Sequence, residues 1–355
     1  MSTHPIVAED VAAVLARTRS LWPDLKNATI LITGATGFFG IWLLETLLAA
    51  NREFSLKCRV LGLSRDPDRF AVKAPHLARD PAVTWITGDV RDFAFPAGPV
   101  THVIHAATEA SAKLNRENPQ AMFDVCVEGT RRVLALAKEK QPARMLLTSS
   151  GAVYGRQPPN LSHIPEDFTG GPDPLDPRNA YAEGKRAAEH LCAIAGLPPP
   201  VGAGLHITIA RCFAFVGPHL PLDIHFAIGN FIRDALVGGP IRVNGDGTPF
   251  RSYLYAADLA EWLFTILLRG QAGRAYNVGS EESVSIRDLA HHVAEMATRA
   301  TGSRSEVIVS QRPRAGSTTL PERYVPRCRR VFDELGLTPA TRLDTAIERT
   351  LGEAN

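Results

Sequence analysis

Tyr181 and Lys185 stand four residues apart in Asn179-Ala180-Tyr181-Ala182-Glu183-Gly184-Lys185, a stretch whose composition reads as helix. That spacing puts both side chains on one helical face, so the ammonium can lie near the phenol and favour its ionised form. This is the chemistry of a phenolic acid/base. A tyrosine with its ordinary pKa of about 10 moves protons poorly near neutrality, and a neighbouring cation is the simplest way to lower it. The pair alone is also what a solvated helix surface offers by chance, so its meaning depends on the elements that precede it.

Those elements alternate. Short β-branched runs at Thr29–Thr33, Arg59–Leu63, Val83–Thr87, Val100–Ala106 and Arg144–Thr148 are separated by helical stretches such as Phe38–Ala50 and Pro119–Lys140. A helix over about 178–195 then carries the Tyr/Lys pair, and Ile207–Phe215 reads as another strand. Strand and helix in this rhythm imply an α/β fold with a doubly wound parallel sheet covered on both faces. Residues 8–20 predict a short amphipathic helix ended by Pro23. After Gly217-Pro218 come short strands (Ile241–Val243, Ala275–Val278) and helices (Ile224–Leu236, Ala257–Leu268, Ile286–Ala297) among many Gly, Pro and Arg. The expected organisation is a helical extension at 1–27, a dinucleotide-binding domain with the catalytic residues at 28–217, and a smaller α/β substrate region at 218–355. Some segments of that last region are expected to return to the main sheet.

The chain of 355 residues is 45% hydrophobic, enough to bury a full core. A net charge of +2 without basic clusters gives no footprint for nucleic acid or a membrane surface. The five cysteines are scattered without C-x-x-C spacing, which favours a reducing compartment and argues against structural zinc or any other metal. Without a signal-like start or a long apolar run, the expected location is cytoplasmic.

Thr33-Gly34-Ala35-Thr36-Gly37-Phe38-Phe39-Gly40 follows an apolar strand and enters a helix. Its glycines let backbone approach a pyrophosphate whose charge rests on the helix N-terminus. The spacing Gly-x-x-Gly-x-x-Gly resembles the extended branch of the short-chain dehydrogenase/reductase superfamily. Specifically, the chain looks like the NAD(P)-dependent sugar-nucleotide epimerase/dehydratase family over about residues 28–340. The resemblance implies a Rossmann sheet and cofactor contacts from Gly34, Thr36, Gly37, Phe38, Phe39 and Gly40. The second strand ends Leu63-Ser64-Arg65-Asp66, where an NAD enzyme would offer an acid to the adenosine ribose. Ser64 followed by Arg65 suits a 2′-phosphate, so NADP(H) is placed ahead of NAD(H). Asp66 on the ribose, or Arg65 as a surface charge, are the alternatives. Gly88-Asp89-Val90 resembles the family element whose aspartate contacts adenine, and Ala106 and Ala107 give small residues where the cofactor passes.

Thr148-Ser149-Ser150-Gly151-Ala152-Val153-Tyr154-Gly155 resembles the family's Ser-x-x-Val-Tyr-Gly element. By that resemblance Ser150 holds the substrate oxygen, Tyr181 exchanges its proton, and Lys185 binds the nicotinamide ribose and lowers the tyrosine pKa. Dehydratases of the family carry Asp-Glu directly after the hydroxyl residue, and uronate decarboxylases keep the glutamate. Gly151 and Ala152 stand there instead, which leaves simple hydride transfer: reduction of a ketone, or epimerisation. Cys126 and Ala214 replace asparagines usual in relatives. On the substrate side Arg251 resembles the arginine that grips a phosphate, with its guanidinium fork suited to the task. Gly151, Asn230, Asn277 and Arg314 are further expected substrate contacts.

The expected function is hydride transfer at C4 of a nucleotide-activated sugar, with 4-keto reduction placed slightly ahead of 4-epimerisation. A non-sugar carbonyl reductase and a non-catalytic dinucleotide sensor are the rivals. A homodimer through the helices near 117–140 and 178–195 is expected.

Overall fold

The computed structural model describes residues 4–108, 112–223, 227–302, 305–311 and 320–354. In chain order, α1 (Pro5–Arg17) leads to β1 (Thr29–Thr33), α2 (Phe38–Glu53), β2 (Arg59–Ser64), α3 (Pro67–Lys73), α4 (Pro75–Ala78) and β3 (Val83–Thr87). Then come β4 (His102–His105), α5 (Ala112–Glu117), α6 (Pro119–Lys140), β5 (Arg144–Ser150), α7 (Ala180–Gly196), β6 (Ile207–Cys212) and β7 (Phe215–Val216). The remainder is α8 (Ala227–Leu236), β8 (Ile241–Val243), β9 (Phe250–Arg251), β10 (Leu254–Tyr255), α9 (Ala256–Arg269), β11 (Ala275–Val278) and β12 (Val284–Ser285). It closes with α10 (Ile286–Thr301), β13 (Val307–Val309), β14 (Arg323–Tyr324), α11 (Arg329–Leu335) and α12 (Leu343–Ala354).

Seven parallel strands form the main sheet in the order β11-β6-β5-β4-β1-β2-β3. The strand sequence reverses direction beside β1, and ligands bind at such a switch point, outside the carboxyl ends of the strands. β1 and β4 are buried at every position, because helices cover both faces and no strand residue is left for water. The predicted Val100–Ala106 shortens to His102–His105, and Ile207–Phe215 breaks after Cys212 before the two-residue β7. The predicted helix Ile224–Leu236 is seen from Ala227; residues 224–226 lie outside the described ones.

The N-terminal helix runs from Pro5 to Arg17, three residues earlier than its periodicity predicts at either end. Pro23 does not end it; Thr18 caps the last turn and Pro23 opens a separate 3-10 turn, Trp22–Leu25. Trp22 lies edge-on to Phe264 of α9 with centroids 5.2 Å apart, while Asp10 accepts from Tyr255 and pairs with Arg349 of α12. The extension is thus built into the core rather than appended to it. A second, three-stranded sheet, β12-β9-β14, brings Phe250–Arg251 beside Arg323–Tyr324. All five cysteines are unpaired and buried. No described helix is long and apolar enough to cross a membrane.

Candidate active site

The cofactor loop is shaped by what a side chain would strike. Gly34 has φ +71°, and a Cβ there would sit 2.6 Å from the Ala106 carbonyl oxygen. A Cβ on Gly40 would meet Ala35 backbone at 2.4 Å, so α2 can enter this close to β1 only on a glycine. Gly37 is the N-cap of α2 and no side chain satisfies the first-turn amides around Thr36, Phe38 and Phe39. Those amides and the helix dipole make an anion seat, so the residues present fit a dinucleotide pyrophosphate. Ala106 and Ala107 donate their backbone N–H groups to Thr33 Oγ1, which ties β4 to the loop.

At the adenosine end, Ser64 Oγ accepts from the Asp66 amide at 3.2 Å, and Asp66 accepts from the Arg69 amide as N-cap of α3. One Asp66 oxygen is thus taken up in starting α3. Asp89 is held by Arg91, whose guanidinium bonds it at 2.7 and 3.2 Å and keeps the carboxyl below its usual range. Arg65 lies close enough to add to that depression. Val90 is buried against Gly129 of α6.

β5 ends at Ser150, and α7 lies across that end. Ser150 Oγ accepts from the Ala152 amide at 3.1 Å and lies near enough to the Tyr181 phenol to oppose the rise that burial imposes on it. The electrostatics differ from the expectation. Lys185 Nζ donates to the Thr148 carbonyl at 2.7 Å and to Thr108 Oγ1 at 3.0 Å, and lies 5.9 Å from the Tyr181 ring centroid. Burial pushes the Tyr181 phenol well above its ordinary pKa, with the Ser150 hydrogen bond the main opposing influence. The same burial lowers Lys185. The spacing of four does place both groups on one face; it does not make Lys185 the group that sets Tyr181 in this structure.

Behind this face Glu189, one turn beyond Lys185, accepts from Ser149 Oγ at 2.5 Å and from Arg211 at 2.7 Å. Arg211 also bonds the Tyr154 hydroxyl, which donates to Asn277 Oδ1 at 2.7 Å. Burial raises Tyr154 to about 12, and its hydroxyl is taken up between Arg211 and Asn277. Asn277 requires a correction: it is fully buried, and its amide nitrogen donates to the Ile164 and Arg327 carbonyls. Every polar atom of that side chain is engaged in holding loops, so it is not the substrate contact expected.

Arg251 is half-buried; one nitrogen donates to the Phe250 carbonyl and another to Glu322 at 2.7 Å. Asn230 on α8 accepts from Arg233, and among the described residues no contact joins it to the catalytic group. Arg314 lies outside the described residues. Ala214 is buried and its carbonyl accepts from the Leu254 amide. Cys126 is buried against Gly184, where a Cβ would come within 2.8 Å.

Two residues that sequence reasoning missed are prominent. Asn115 pins the start of α7, accepting from the Tyr181 amide at 3.0 Å and donating to the Arg178 carbonyl at 2.7 Å. Tyr324 of β14 brings its hydroxyl to 3.5 Å from Ser150 Oγ, and β14 pairs with β9 so that Tyr324 faces Arg251 in register. A Cβ on Gly151 would strike the Phe213 ring at 2.7 Å and the Tyr324 hydroxyl at 2.8 Å, which explains the glycine there.

Known proteins resemble this chain in sequence and fold. UDP-glucuronic acid decarboxylase 1 of Arabidopsis thaliana is 32% identical over 272 residues, covering 76% of this chain and 59% of that protein. The chain therefore spans about three-fifths of that relative's length. UDP-glucose 4-epimerase of Thermus thermophilus, solved as a complex with NAD, superimposes with TM-score 0.70 at 26% identity, covering 92% of this chain and 98% of that one. The fold of UDP-glucose 4-epimerase from Thermotoga maritima, solved with UDP-glucose, matches with TM-score 0.74 at 19% identity over 92% of this chain and 98% of that one. Residues 30–279 match the sequence signature of the NAD dependent epimerase/dehydratase family, and the chain belongs to that family.

Proposed function

We propose that the protein is an NAD(P)-dependent enzyme that moves hydride at C4 of a nucleotide-activated sugar, with reduction of a 4-keto sugar placed first and 4-epimerisation sharing the same machinery. The observation that carries this reading is the meeting of Ser150, Tyr181 and Lys185 at the carboxyl end of β5, beside a glycine loop fit for a dinucleotide. The bound nicotinamide ring supplies the hydride donor or acceptor. Ser150 orients the sugar oxygen, and Tyr181 gives or takes its proton. Lys185, fixed by the Thr148 carbonyl, lies near enough to the phenol ring to favour the charge that forms on it. Arg251 exchanges its bond to Glu322 for a substrate phosphate. Ser64 and Arg65 favour NADP(H), whereas the Thermus relative was solved with NAD. A homodimer through the outer faces of α6 and α7 belongs to the same proposal, and a monomer in sedimentation would remove it.

The test offers the protein NADPH with a 4-keto sugar nucleotide and, separately, a UDP-hexose with retained cofactor. Stoichiometric NADPH consumption supports the reductase; a new epimer without net redox supports the epimerase. Failure of every nucleoside diphosphate to raise the melting temperature would end the sugar-nucleotide reading.

A second reading is decarboxylation of UDP-glucuronic acid, favoured by the Arabidopsis relative. Oxidation at C4 would put a ketone β to the C6 carboxylate, so the first step is shared. Ala152 counts against it, because the family resemblance places a glutamate at that position. Release of carbon dioxide from UDP-glucuronic acid would decide in its favour.

A further inference from the structure

We propose that Tyr324 is the positioning residue for Ser150: its hydroxyl donates to Ser150 Oγ, so that the single serine proton can point only toward Tyr181 and the reacting sugar oxygen. A serine hydroxyl has one proton and two acceptor lone pairs. The Ala152 amide donates to Ser150 Oγ at 3.1 Å, and the Tyr324 hydroxyl stands 3.5 Å from the same oxygen. A formed O–H···O bond is shorter, about 2.7–2.8 Å. Catalytic hydrogen bonds are often long without substrate and tighten in the complex, which is the change this site needs.

Three observations support the donor role. Burial pushes the Tyr324 phenol up to about 12, with the Ser150 hydrogen bond and the Arg251 charge opposing, so the oxygen keeps its proton across the working range. The ring packs against Phe213, tilted 38° with centroids 4.8 Å apart, which fixes its direction. Gly151 leaves open the volume that the Tyr324 hydroxyl enters, since a Cβ there would come within 2.8 Å of it. Packing alone accounts for the Phe213 contact; it does not account for a hydroxyl brought to the catalytic serine. The pairing of β14 with β9 holds Tyr324 in register with Arg251 while its hydroxyl reaches Ser150.

The inference rests on the reading of Ser150 as the hydroxyl that holds the reacting oxygen, and one of its tests needs no sugar substrate. In the dinucleotide-loaded full chain, Tyr181 is titrated by ultraviolet tyrosinate absorbance, with Tyr181→Phe as the subtraction. Tyr324→Phe should move that titration upward by roughly half a pH unit, because Ser150 no longer directs its proton to the phenolate. In turnover, kcat should fall roughly tenfold with KM for the sugar nucleotide changed less than about threefold. In a Ser150→Ala background the same substitution should add nothing to either effect, since it acts through the serine. Tyr324→Leu loses both hydroxyl and ring, so a drop in melting temperature confined to that variant separates packing from positioning. An unshifted titration, equal effects with and without Ser150, or a change in KM alone would each overturn the proposal. If no sugar nucleotide turns over, the functional reading fails while the titration still decides this one.

Discussion

Tyr181 comes from a 17-residue helix laid across a seven-stranded sheet, whereas Tyr324 comes from a two-residue strand in a sheet of three. The two phenols approach the same serine from these unequal supports. On the first wall Lys185 is fixed by the Thr148 carbonyl and the start of α7 by the Asn115 side chain. On the second, Arg251 is satisfied by Glu322, a half-exposed carboxylate that water can replace. On the proposed reading, chemistry is assigned to long elements that over-determine position, and substrate recognition to short ones that can be re-aimed at little cost. Relatives that differ in reaction and substrate on one fold fit such a division.

The sharpest way to break this contrast is Tyr181→Phe. If the first wall holds the chemistry, kcat should fall by ~10²–10⁴ with dinucleotide binding by fluorescence unchanged; near-normal turnover would dissolve the distinction. Next is Arg251→Met, expected to raise KM for the sugar nucleotide ~10–100-fold while kcat moves little, because a charged hydrogen bond to phosphate is worth about 1.5–3 kcal/mol. A loss confined to kcat would place Arg251 on the wrong wall.

Acid tests the first wall by itself. His102 and His105 of β4 are held neutral, lowered to about 4 and about 3, by burial first and then by the Arg144 and Lys185 cations respectively. Between those values and the unfolded pKa of about 6.5 only the unfolded chain takes up the proton. Their contribution is therefore intact above about pH 6.5 and is lost as pH falls, by roughly 1 kcal/mol per pH unit for each histidine. Urea midpoints measured from pH 7 to pH 5 should fall, and His105→Gln, which keeps partners in Thr33 and Thr130, should flatten the slope. The smallest effect is Glu322→Gln. Removing the carboxylate that competes for Arg251 should tighten UDP binding by calorimetry about two- to fivefold, the range of an exposed ion pair; weaker binding would show that Glu322 supports the arginine instead.

The same contrast decided how much could be read from sequence. The main sheet was legible because β-branched runs alternate with helical stretches, and the glycine loop because strand and helix flank it. Strand ends at 100–101, 106 and 213–214 were misplaced: Val100, Phe213 and Ala214 are buried apolar residues that lie just outside the strands. Asp66 followed by Pro67 is a helix-start signal that accounts for the Asp66 bond to the Arg69 amide. Tyr324 gave no signal: two residues carry no period, and their partner strand lies more than seventy positions earlier. Asn277 misled because its motif matches a family element while the buried bonds that occupy it come from distant loops. Lys185 was located correctly, but its partners are a backbone carbonyl and a threonine that no spacing rule reveals.

The burial of every cysteine gives the protein a property unrelated to its chemistry. A thiol reagent in solution has nothing to attack until the chain opens, so labelling becomes a clock for opening. Cys58 borders β2, Cys212 ends β6 and Cys328 precedes α11, so the order in which they are labelled would record which part of the molecule lets go first.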